Sequence, residues 1–176
     1  MTEPQLTFAP DAWRKLARYA QLCPFEIGGL GELFVTATGY LVTDIHLVRQ
    51  DVNDIATRLD GDAVNRRIED LVDAGRDPGV LRLWWHSHAR EATFWSGEDE
   101  ETISLFRNDG MLSLVTNHEL RMLARFDRYD PRTTEWVWVD RPAPLADPEP
   151  AEAAAIRRAI AEAVRYVPVA RRQMVV

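Results

Sequence analysis

VLRLWWHSHAREATFWSGEDEETISLF, residues 80–106, is the stretch from which the rest of the chain is best read. Its opening run to His86 is apolar and aromatic apart from Arg82, the composition of a strand buried on both faces. Side chains alternate along a strand, so His86 and His88 project to the same side at its end. Residues 97–108 then carry a helical pattern. Ser96-Gly97-Glu98-Asp99 at its start is a variant of the capping box, and the acidic run 98–101 suits a helix N-terminus.

Working outward, residues 11–22 read as a helix, with Asp11 at its start and Trp13, Leu16, Ala17 and Ala20 at helical spacing. Residues 26–37 and 40–48 read as the two arms of a hairpin around Thr38-Gly39. A second helix is expected over 62–74, with Val64, Ile68, Leu71 and Val72 on one face. Strands follow over 111–116, 120–126 and 135–140, with a turn at Asn117-His118-Glu119. The interleaving of strands and helices points to a single α/β domain over residues 1–140. Residues 141–150, RPAPLADPEP, read as a proline-rich linker, and 151–176 as a C-terminal helix and tail. That helix is expected to pack on the domain, bind a partner or mediate a homodimer.

The 176 residues carry a net charge of −7, which opposes sequence-independent binding to nucleic acid. No apolar run approaches the roughly 20 residues that span a bilayer. The N-terminus lacks the basic start and apolar stretch of a secretory signal. Cys23 is the single cysteine, so no internal disulfide can form. A cytoplasmic protein without membrane contact is the expectation. Cys23 itself reads as a small buried hydrophobe, His46 as a structural histidine and His118 as a solvent-exposed turn residue. Arg171 and Arg172 read as part of a solvated tail.

Two imidazoles on one side of a strand suit zinc, which prefers nitrogen, sulfur and carboxylate ligands. Asp99 returns from the first helical turn as a third ligand. Three protein ligands leave a fourth position for water, the arrangement of a catalytic rather than a structural zinc site. Such a site also needs a carboxylate base, for which Glu26, Glu32, Glu91 and Glu98 are all candidates. Ser96 could donate a hydrogen bond to a developing oxyanion.

His86-x-His88, seven residues, Ser96, two residues, Asp99 resembles the JAMM motif of the MPN-domain metallopeptidases at all four positions. Pro24-Phe25-Glu26-Ile27-Gly28-Gly29-Leu30 is similar to the family's upstream glutamate segment. The resemblance implies one Zn2+ per chain held by His86, His88 and Asp99, with Glu26 as general acid/base and Ser96 stabilising the tetrahedral intermediate. It implies a cytidine-deaminase-like fold, a mixed β-sheet flanked by helices. It also implies cleavage of a peptide or isopeptide bond after the C-terminal glycine of a ubiquitin-like protein. The aromatic flanks Trp84-Trp85 and Phe94-Trp95 resemble the small prokaryotic and phage-type members. The space between Asp99 and the strand near 111 is too short for the second insertion of the linkage-selective members.

Two other readings compete. One is a non-catalytic scaffold of the same family that binds protein partners. The other is a cupin-like metal site using His86, His88, Glu91 and His118.

Overall fold

The computed structural model describes residues 3–53, 56–106, 110–129 and 132–168. The first element is a strand absent from the sequence expectations, β1 (Gln5–Phe8), followed by helix α1 (Pro10–Leu22). Pro10 at the first helical position suits the helix start, where an N–H has no partner to lose. Strands β2 (Ile27–Thr36) and β3 (Gly39–Leu47) form the long hairpin, with an irregularity in register between Glu32 and Leu33. Next come two short strands, β4 (Gln50–Val52) and β5 (Thr57–Leu59), and helix α2 (Gly61–Asp73), capped by the Asp60 carboxylate. A 3-10 turn, Pro78–Val80, leads into β6 (Leu83–Ser87) and helix α3 (Gly97–Leu105). Strands β7 (Met111–Thr116), β8 (Met122–Tyr129) and β9 (Arg132–Val139) precede helix α4 (Pro150–Ala163) and β10 (Val164–Tyr166).

The main sheet corrects the expected fold class. Seven strands close into a barrel in the order β1-β3-β2-β6-β7-β8-β9, rather than forming a mixed sheet flanked by helices. Closure depends on β1, which pairs in parallel with β3 on one side and with β9 on the other. The approach of β1 is close enough that a side chain at Gly39 would stand 2.2 Å from the Gln5 carbonyl oxygen. A four-residue strand with one fully buried residue, Leu6, carries too little alternation to be read from sequence. The polar segment after β3 likewise hides β4 and β5, which join β10 in a separate three-stranded sheet.

β6 is buried on both sides because two apolar layers meet at it. Leu83 and Trp85 face the inner cluster with Trp13, Leu16, Leu112 and Leu114, while Trp84 faces an outer cluster with Leu30, Leu71, Ile103 and Met111. That outer layer, covered by α2 and α3, is the side on which His86 emerges, two residues after Trp84.

The C-terminal segment lies against α1. Trp13 Nε1 donates to the Ala143 carbonyl at 3.3 Å, and the Arg18 guanidinium reaches the Ala146 carbonyl at 2.7 Å and Glu152 at 3.3 Å. Ala153 and Ile160 of α4 are buried. Within the expected C-terminal helix and tail, the helix ends at Ala163, where the chain joins β4 as β10. Arg171 and Arg172 lie outside the described residues.

Candidate metal centre

The strand end and the helix start bring His86, His88 and Asp99 together. His86 Nε2 lies 3.1 Å from His88 Nε2 and 3.0 Å from Asp99 Oδ1, and His88 Nε2 lies 3.3 Å from Asp99 Oδ2. Two ligands each about 2.0–2.1 Å from a tetrahedral zinc stand about 3.3 Å apart, so the spacing fits such an ion. The donor set of two imidazoles and one carboxylate fits it as well.

Neighbouring groups orient the two rings. His88 Nδ1 lies 3.1 Å from the Ala92 carbonyl, which can only accept, so Nδ1 carries a hydrogen. In the neutral ring Nε2 then presents a lone pair toward His86 and Asp99, the tautomer a metal needs. Trp84 stacks on His86 at 4.4 Å, and Phe94 meets His88 edge-on at 4.7 Å. Nδ1 of His86 is buried without a protein partner among the described residues, so apart from its Nε2 contacts that ring is held by stacking on Trp84. Trp85, by contrast, faces the inner core, where it stacks with Tyr19 and donates to the Leu30 carbonyl.

Without an ion, the Asp99 carboxylate favours a proton on His88, at the position a metal would take. Burial alone would raise the pKa of Asp99, but hydrogen bonds to His86 and His88 hold it well below the ordinary carboxylate range. Burial lowers that of His86. Burial also opposes charge on His88, yet Asp99 and the Ala92 carbonyl outweigh it and raise its pKa.

Glu26 sits immediately before β2. The antiparallel register pairs Ile27 with Ser87, so Glu26 and His88 each lie one residue beyond that last pair, near enough for His88 to act on the Glu26 charge. Gln50 secures this end of β2. Its buried side-chain amide donates to the Gly28 carbonyl at 2.7 Å and accepts from the Gly28 N–H at 2.8 Å. Burial pushes the Glu26 pKa up to about 7, with His88 pulling it down and Asp99, Glu91 and Glu98 adding to the rise. Of the other candidate bases, Glu32 is committed elsewhere. It accepts from His46 Nε2 at 2.9 Å and is paired with Arg76.

Ser96 is the N-cap of α3, and its Oγ accepts from the Asp99 N–H at 3.1 Å. That bond uses an oxygen lone pair and keeps the hydroxyl proton for donation.

A second group, Glu32, Asp44 and His46, also has the composition of a metal site. Its charges are already matched, since Arg76 and Arg67 face Glu32 and Lys15 faces Asp44 at 2.5 Å. It is an ion-pair network drawn from α1, β2, β3, α2 and the turn after α2, so no local pattern in the sequence reveals it. His118 is partly buried rather than exposed, and its Nε2 donates to the Cys23 carbonyl at 2.9 Å. Neither His118 nor Glu91 joins the two histidines in a metal-competent group, so the cupin-like arrangement is not formed. Cys23 is fully buried, and burial pushes its thiol pKa up.

Among the described residues, no helix is long and apolar enough to cross a membrane. No family model matches the chain, and no curated protein does. Solved structures do match. One is the solution structure of protein DSY2949 from Desulfitobacterium hafniense, a structural genomics target. It superposes with a TM-score of 0.58 over 78% of this chain and 94% of that one, at 15% identity. A likeness at that identity shows the fold alone.

Proposed function

We propose that this chain is a zinc-dependent hydrolase of the JAMM type, cutting a peptide or isopeptide bond after the C-terminal glycine of a ubiquitin-like protein. The observation that carries the reading is the turn of His88, whose Nδ1 hydrogen goes to Ala92 while Nε2 faces His86 and Asp99. The resemblance lies in the site and its spacing, not in the sheet, which is a closed barrel.

His86, His88 and Asp99 would hold the ion. Bound zinc supplies Lewis acidity and makes water a usable nucleophile near neutral pH. Glu26, with its pKa raised to about 7, is suited to take a proton from water and return it to the leaving amine. Ser96 donates to the oxyanion as the carbonyl is attacked. A cavity of about 720 Å³ shares Trp84 with the centre and is walled by Leu30, Leu59, Glu98, Leu105 and Phe106. Strand β5 lies at the edge of its small sheet and contributes Thr57–Leu59 to this cavity. An extended substrate tail could pair with such an edge. The unpaired, buried Cys23 supports a cytoplasmic setting.

The test is incubation of zinc-loaded protein with a panel of ubiquitin-like fusions, reading cut sites by mass spectrometry. Cleavage after a terminal glycine is expected, stopped by chelator. Glu26→Ala should keep the metal and lose about 10²–10⁴-fold in turnover. One zinc per chain with no cleavage across the panel would favour the scaffold reading instead.

A further inference from the structure

The candidate ligand Asp99 comes from a short helix with little anchorage of its own. Of the nine residues of α3, only Asp99 and Ile103 are buried. Its first turn carries three carboxylates, Glu98, Asp99 and Glu100, which the helix N-terminus favours without fixing where the turn sits against the barrel. Yet both oxygens of Asp99 are committed at 3.0–3.3 Å to the two histidines. The Ser96 cap orients Asp99 within its own turn, so what remains to be fixed is the placement of that turn against the strand that carries the histidines.

We propose that Arg125 is the positioning residue of the metal centre, gripping the Ser96–Asp99 turn by the residues on either side of it, Trp95 and Glu100. The Arg125 guanidinium meets the Glu100 carboxylate in a two-pronged pair at 2.6 and 2.7 Å. Its Cζ lies 4.9 Å from the centre of the Trp95 ring, on which the guanidinium rests. Trp95 in turn leans toward His86, with ring centres 5.9 Å apart.

Arg125 is itself braced. Its Nε donates to Asp127 Oδ2 at 2.9 Å, and Asp127 Oδ1 accepts from Thr134 Oγ1 at 2.5 Å. The Arg125 and Asp127 side chains are 8% and 1% exposed, so the brace is rigid on the barrel side. Strands β8 and β9 thereby hold the start of α3 from beneath. A planar fork fits this task and an ammonium does not, because two parallel bonds fix direction as well as distance. Arg125 is expected to touch neither substrate nor metal. Partners that orient ligands in this way typically contribute 10- to 100-fold to metal affinity.

The inference rests on the metal-centre reading, and the experiment separates the two. Zinc affinity of the full chain is measured by competition with a chromogenic chelator for wild type, Arg125→Lys and Glu100→Gln. The visible spectrum of the cobalt(II) form and thermal unfolding of the metal-free proteins are recorded alongside. Both variants should bind zinc about 10- to 100-fold more weakly and show an altered cobalt spectrum. Glu100 is half-exposed, so Glu100→Gln keeps the test open even where Arg125→Lys folds poorly. Zinc affinity within twofold of wild type in both variants, with only the unfolding temperature lowered, would make the role merely structural and overturn the proposal. Wild type that takes up no zinc would overturn the metal-centre reading itself, and this inference with it.

Discussion

Ser96 and Asp99 bond each other twice, the Ser96 N–H donating to Asp99 Oδ2 at 2.7 Å and the Asp99 N–H donating to Ser96 Oγ at 3.1 Å. The cap and the candidate ligand are therefore one device. Capping orients the Asp99 carboxylate, leaving Oδ1 3.0 Å from His86 Nε2. The two roles open to Ser96-x-x-Asp99, helix cap and candidate ligand, support each other in space.

Ser96→Ala separates its two contributions. Loss of the cap should cost about 1 kcal/mol of stability in denaturant unfolding. Loss of the oxyanion donor should lower kcat by about 10²–10³, far more than the stability change accounts for. Equal, small effects on both measurements would confine Ser96 to capping.

The closing strand offers a test of the fold. Leu6 is fully buried in the inner cluster, between β3 and β9. Leu6→Ala should cost about 2–5 kcal/mol in urea unfolding, the range of a core truncation. A smaller cost, as for a residue on a dispensable arm, would count against the barrel's closure through β1.

The network around Glu32 makes the fold sensitive to acid. Arg76 and His46 hold Glu32 ionised below the ordinary carboxylate range, although its burial works the other way. Burial, with Arg67 adding to it, lowers the pKa of His46. The groups facing His46 are Glu32 on β2, Asp44 on β3 and Arg67 on α2, with Lys15 of α1 on Asp44 and Arg76 on Glu32. For both depressed groups the unfolded chain binds more protons, so their contribution falls as pH falls. For His46 that loss begins below about 6.5, and for Glu32 below about 4.5. His46→Gln keeps a donor for Glu32 without the titration. The stability difference between wild type and this variant should shrink progressively from pH 7 to pH 5 in chemical unfolding. A difference independent of pH would show that His46 is not held neutral.

The sequence exposes the candidate metal centre more fully than the sheet, for a physical reason. His86, His88, Ser96 and Asp99 sit within fourteen residues, so one strand end and one helix start bring them together almost by chain geometry alone. Barrel closure depends instead on Gln5 meeting Gly39 and Trp138, pairings between segments 34 and 133 residues apart that leave no local periodicity. Arg125 is hidden for the same reason. It lies in an ordinary strand, and only folding places it against Glu100 and Trp95.

Glu26 supplies the last prediction, with a sign opposite to that of the Glu32 network. Its pKa rises from the ordinary 4.5 to about 7, chiefly because burial penalises the charged form. Between those values the folded chain binds a proton that the unfolded chain does not, so stability falls as pH rises through the window. At about 1.4 kcal/mol per pKa unit, ionised Glu26 costs the metal-free fold roughly 3 kcal/mol above pH 8. Glu26→Gln, measured with chelator present, should match wild type near pH 4 and exceed its stability by most of that amount at pH 8. A bound cation reverses the argument, because it favours the carboxylate and pulls the Glu26 pKa back down. Zinc-loaded wild type and Glu26→Gln should therefore converge in stability at pH 8. An advantage for Glu26→Gln that persists undiminished with zinc bound would place the carboxylate too far from the ion to act on its water.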